Sequence, residues 1–106
     1  MKFEEYQEAA SKIPVAMRNN RDRITLPVLG LQSEAGKVDS ILSTGFASGR
    51  LTLTVEQRRE IKKRLADVLW YVALLCHESG VAMSEVATLS ISQLEARTDH
   101  RDLDER

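Results

Sequence analysis

Two short stretches hold charged residues at a spacing that can do chemistry: Leu31-Gln32-Ser33-Glu34-Ala35-Gly36-Lys37 and Arg64-Leu65-Ala66-Asp67-Val68-Leu69-Trp70-Tyr71-Val72. Each carries a charged pair at i, i+3, Glu34 with Lys37 and Arg64 with Asp67. On a helix that spacing puts both members on one face, roughly 5–6 Å apart at Cβ. Two such helices laid face to face gather two acids and two bases into one cluster. Residues 65–76 are apolar all the way round apart from Asp67, so that carboxylate is expected to be buried. Burying an unpaired ion costs several kcal/mol. Asp67 must therefore coordinate a metal, meet a cation or take up a proton. Glu60 lies on the same face, four residues before Arg64, where it could serve as a replacement ligand or, in the favoured reading, as the ion partner of Arg64. Asp39 falls well round the helix from Glu34 and is left off the site.

Four helices are expected to position these groups, giving an all-α four-helix bundle. Phe3, Tyr6, Ala9, Ala10, Ile13 and Met17 recur at helical spacing and mark the first. Asn19-Asn20-Arg21-Asp22-Arg23 breaks it, and Pro27 suits the first turn of the second helix. That helix is read to Leu42, with Gly36 as an interior weak point explained by a close backbone approach. Ser43-Thr44-Gly45-Phe46-Ala47-Ser48-Gly49-Arg50 reads as a loop. Thr54 and Gln57 form a capping box opening a third helix over 55 to about 78, and Gly80 caps its end. Ser84 opens the fourth, which carries Val86, Leu89 and Leu94. Residues 1–97 form one helical domain, and the charged tail 98–106 is expected to be disordered.

The first half of the third helix is amphipathic, with Ile61 and Leu65 expected to face inward. Its second half, Val68-Leu69-Trp70-Tyr71-Val72-Ala73-Leu74-Leu75-Cys76, offers no polar face. A helix apolar all round must be covered on every side. Three other helices in a chain of 106 residues can hardly do that alone, so a homodimer, or a higher assembly, is expected.

The two motifs resemble those of the MazG-type all-α nucleotide pyrophosphohydrolases, relatives of the dimeric dUTPases. That family carries Glu-Glu-x-x-Glu, often within Gly-Leu-x-x-Glu-x-Gly-Glu, and later Glu-x-x-Asp, typically within Glu-Leu-Gly-Asp-Val-Leu-Trp-Tyr. The corresponding segments here are Gly30-Leu31-Gln32-Ser33-Glu34-Ala35-Gly36-Lys37 and Arg64-Leu65-Ala66-Asp67-Val68-Leu69-Trp70-Tyr71. Ser90-Ile91-Ser92-Gln93-Leu94-Glu95-Ala96-Arg97 stands where the family reads Asn-x-x-Lys-Leu-x-x-Arg. The resemblance spans about residues 3–97. It implies a homodimeric bundle whose acidic positions hold Mg²⁺ and split a nucleoside triphosphate into monophosphate and pyrophosphate. Carried over residue by residue, Glu34 and Asp67 are the catalytic metal ligands. Trp70 or Tyr71 would stack on the base, and Ser90, Gln93 and Arg97 occupy nucleotide-binding positions.

This chain departs from that pattern on the functional face. Ser33, Lys37 and Arg64 replace three acidic positions, while Ser90 and Gln93 replace the polar Asn and the phosphate-binding Lys. Two readings follow. In the favoured one the protein is catalytically impaired or inactive, with Lys37 paired to Asp67 or Arg64 to Glu34. Charge then balances with no ion present, and a nucleotide could still bind through phosphate contacts of Lys37 or Arg64. In the other it is an active Mg²⁺-dependent hydrolase using Glu34 and Asp67, because Mg²⁺ is often held by one or two carboxylates plus phosphates and water.

Composition narrows the remaining classes. Net charge is −1, which argues against binding nucleic acid through bulk charge. The single cysteine, Cys76, excludes an intramolecular disulfide and reads as a buried small hydrophobe. His77 and His100 have no partner at zinc-ligand spacing. Arg18, Arg21 and Arg23 read as a solvated helix end. No signal-peptide pattern heads the chain, and the apolar run is shorter than the ~20 residues a membrane span needs. A cytoplasmic location without membrane association is expected.

Overall fold

The computed structural model describes residues 1–14, 19–47, 49 and 52–104, with the backbone alone described at 45, 46 and 99–104. Met17 and Arg18, expected in the first helix and its basic end, lie outside the described residues, as does the His100 side chain. Four helices follow one another: α1 (Phe3–Ser11), α2 (Asp22–Ala47), α3 (Val55–Ser79) and α4 (Met83–Asp104). Among the described residues there is no strand, and the fold is an all-α bundle.

The long α2 and α3 form an antiparallel pair, and α2 packs on no other helix among the described residues. A glycine, Gly30, takes part in their contact. A Cβ placed on Gly30 would collide with the ring of Tyr71, so the ring lies directly on the α2 backbone. Gly36, where close approach is expected, has nothing within 4 Å of the point a Cβ would occupy. Tyr71 is large enough to demand a notch, and the notch is one helical turn and more before the glycine inside the charged motif.

Several boundaries differ from the expectation for identifiable reasons. Pro27 lies inside α2 and is fully buried, because Asn19 starts the helix ahead of it: its Oδ1 accepts from the Asp22 N–H at 3.1 Å. α2 also runs through Ser43 to Ala47. Ser40 Oγ donates to the Gly36 carbonyl at 3.1 Å and Thr44 Oγ1 to the Ser40 carbonyl at 2.9 Å. The Thr44 hydroxyl, inside the segment that reads as a loop, thus bonds back to its own helix. α4 is described to Asp104.

The ends of α3 match the sequence reading. Gln57 N–H donates to Thr54 Oγ1 at 3.0 Å, and Thr54 N–H to Gln57 Oε1 at 2.8 Å. Gly80 takes the left-handed conformation at φ 70°. The chain then turns by 110° into α4. The start of α4 is held from α1 rather than by Ser84: Gln7 Oε1 accepts from Met83 N–H, and Gln7 Nε2 donates to the Val81 carbonyl, both at 2.8 Å. Around this corner sits the core of Ala10, Ala73, Cys76 and Met83, with Tyr6, Trp70 and Val72 packed against it. Cys76 is buried as expected.

That core is small, and the outer flank of α3 is bare. Leu65 is 51% exposed rather than facing inward, Leu69 is 38% exposed, and Leu89, Ile91 and Leu94 of α4 are exposed too. No single helix among the described residues is long and apolar enough to cross a membrane.

The two glycines of α2 should respond oppositely to alanine. Gly30→Ala should destabilise the fold by about 1–3 kcal/mol through overpacking against Tyr71. Gly36→Ala should stabilise it by up to about 1 kcal/mol, since open space lets helix propensity decide. Chemical denaturation of both variants checks the pair.

Candidate functional site

Glu34 is a buried carboxylate, 6% exposed on the face of α2 that meets α3. Two cations close on it. Lys37 Nζ, one turn along α2, donates to Glu34 Oε1 at 3.0 Å. Arg64 reaches across from α3 and places Nη1 3.6 Å from Glu34 Oε2. Arg64 is itself gripped by Glu60, whose Oε1 lies 2.9 Å from Nε and 2.7 Å from Nη2. The guanidinium therefore bridges carboxylates from two helices. Its pKa is raised, chiefly by the hydrogen bond to Glu60, with burial opposing and the charges of Glu60 and Glu34 adding. Two acids and two bases leave the cluster neutral. At 3.6 Å the Arg64–Glu34 contact is an ion pair rather than a hydrogen bond, and Glu34 Oε2 is buried with no hydrogen-bond partner.

Asp67 departs from the expectation. It is exposed, and among the described residues it forms no ion pair, so Lys37 pairs with Glu34 instead. Asp67 precedes Tyr71 by one helical turn, and water reaches its carboxylate beside the α2–α3 contact. Its charge is felt on the α1 side, where Tyr6 has a raised pKa, first from burial and then from Asp67.

The aromatic pair is engaged in packing. Trp70 lies on the core with Nε1 donating to the Ala10 carbonyl at 3.4 Å, and Tyr71 fills the Gly30 notch. Their ring centroids are 5.2 Å apart. Ser90, Gln93 and Arg97 are exposed on α4, which does not pack on α2, so one chain does not bring them to Glu34. Ser90 instead edges an apolar groove of about 430 Å³ between Phe3, Leu69, Val72, Val86 and Ile91. Sequence reasoning missed Gln7 and Gly30, whose partners lie far along the chain and leave no local pattern.

Comparison with known proteins fits this geometry. The MazG nucleotide pyrophosphohydrolase domain matches residues 2–102, and the chain belongs to that family. It is similar to the Gene 37 protein of Mycobacterium phage L5, with 31% identity over 71 residues. That match covers 67% of this chain and 62% of the phage protein, so it spans less than two thirds of the relative's length. No solved structure matches the chain.

The metal that the family resemblance implies does not fit the residues present. Both oxygens of Glu34 face a cation of the chain itself, and Asp67 is exposed and without an ion pair among the described residues. Among the described residues no three His, Cys, Asp or Glu side chains converge as a metal site.

Two measurements check this electrostatic arrangement. Arg64→Ala should lower Tm by about 5 °C or more, because Glu34 stays buried without its cross-helix partner. Lys37→Ala should shift it little, since that side chain is 48% exposed and solvent-screened. Glu34→Gln should restore most of the loss in the Arg64→Ala background. For Tyr6, a folded pKa above the unfolded value contributes stability below about pH 10 that is lost as pH rises through the folded pKa. In a Tyr71→Phe background, tyrosinate absorbance should rise at lower pH once Asp67→Asn removes the nearby charge.

Proposed function

We propose that this protein is a non-hydrolytic, dimeric member of the MazG family, a helical scaffold in which fixed side-chain cations have taken over the acidic site. The observation that carries the reading is Glu34, a buried carboxylate already closed by Lys37 and Arg64. A divalent ion entering there would displace one cation or be repelled by both. The neutral cluster also offers little net positive charge to attract a triphosphate, which weakens nucleotide binding at the same residues.

Dimerisation is supported by surface area. The single chain exposes 8216 Å², whereas a monomer of 11.9 kDa is expected to expose about 5,900 Å². Its radius of gyration is 17.1 Å against about 13 Å for a compact domain of this length. The excess is roughly 2,300 Å², well above the ~800 Å² that each partner of a standard interface buries. Leu65 and Leu69 on α3, with Leu89, Ile91 and Leu94 on α4, supply an apolar surface for a second copy.

Pyrophosphate release measured across the nucleoside triphosphates with Mg²⁺ or Mn²⁺ should stay at the buffer rate. Turnover abolished by both Glu34→Gln and Asp67→Asn would instead establish the active Mg²⁺-dependent hydrolase. Light scattering at micromolar concentration should give twice the 11.9 kDa chain mass. Leu65→Glu or Ile91→Glu should reduce it to the monomer.

A further inference from the structure

We infer that Arg64 is a tethered replacement for a divalent ion, supplying between α2 and α3 the positive charge that the family's acidic positions take from metal, so that the helix pair holds without one. The inference rests on the family membership and on the reading of this site as metal-free.

Three observations converge on it. First, the guanidinium sits where carboxylates of two helices meet, with Glu60 on its own helix and Glu34 opposite. Second, Glu34 Oε2 is buried, accepts no hydrogen bond and faces Arg64 at 3.6 Å. An oxygen held by charge alone, without a donor in bonding range, is what remains when a cation of different shape stands in for an ion. Third, the substitution is balanced. Lys37 and Arg64 together match Glu34 and Glu60, which leaves these four side chains without net charge.

The replacement has a direct consequence for the reverse exchange. Lys37→Glu with Arg64→Glu places four carboxylates, those of Glu34 and Glu60 among them, around the same point. This double variant should bind one Mn²⁺ per chain at least tenfold more tightly than the wild type does, by calorimetric titration. Its Tm should be low without metal and rise on adding Mn²⁺ or Mg²⁺, whereas the wild-type Tm should be unmoved by metal or chelator. A milder pair keeps the test decisive if the double variant fails to fold. Arg64→Lys keeps the charge and should retain most of the wild-type Tm, while Arg64→Gln should lose it.

Equal losses for Arg64→Lys and Arg64→Gln would overturn the inference, because shape rather than charge would then matter. So would a stoichiometric Mn²⁺ site in the wild type that Glu34→Gln removes. A folded double variant that is as stable as wild type and blind to metal would overturn it as well. None of these readouts depends on turnover. Hydrolysis by the wild type would sink the non-hydrolytic reading, and metal binding without hydrolysis would sink this inference alone.

Discussion

A buried carboxylate must be answered by positive charge, and that requirement organises the contact between the two longest helices. Glu34 is nearly dry because α2 and α3 lie tightly together, and they do so because Tyr71 packs onto the bare backbone at Gly30. Once the helices are that close, water cannot solvate Glu34 Oε2, and Arg64 is the charge that reaches it. Glu60 then fixes the guanidinium from the other side. Packing, electrostatics and the fate of the family's metal site are thus one problem. Removing the cation without removing the acid strands an ion, which is costlier than removing both.

At the other end of α3 the physics is apolar and incomplete. The core of Ala10, Ala73, Cys76 and Met83 is made of small or flexible side chains, and Gln7 ties the α3–α4 corner to α1. Beyond that corner α4 presents exposed Leu89, Ile91 and Leu94, and α3 presents Leu65 and Leu69. A helix with apolar residues on every side has been given neighbours on only part of its circumference. Cover from a second copy would complete it.

Much of this was readable from local pattern. The Thr54–Gln57 box and the Gly80 cap depend on residues within a turn of each other and appear at their expected positions. The Glu60–Arg64 pair follows from i, i+4 spacing alone. What escaped depends on contacts between distant segments. Gly36 stands in the motif, yet Gly30 receives the ring, because only the register of α2 on α3 decides which glycine faces Tyr71. Asp67 lies in an apolar run but is exposed, since apolar neighbours in sequence do not decide which side chains water reaches once the helices pack. Trp70, expected beside a nucleotide, is turned onto the core by α1 and bonds to Ala10. The extension of α2 through Ser43 to Ala47 shows the converse: Thr44 has the composition of a loop residue, yet its hydroxyl serves a helix carbonyl.

The central claim is that Glu34 is satisfied by side-chain cations and not by metal. Crystals of the wild-type protein grown with Mn²⁺ and a non-hydrolysable nucleoside triphosphate analogue test it most directly, through anomalous difference density. The account predicts no manganese peak within bonding distance of Glu34, with the Arg64 guanidinium between the two helices. A peak bridging Glu34 and Asp67, with Arg64 swung away, would contradict it.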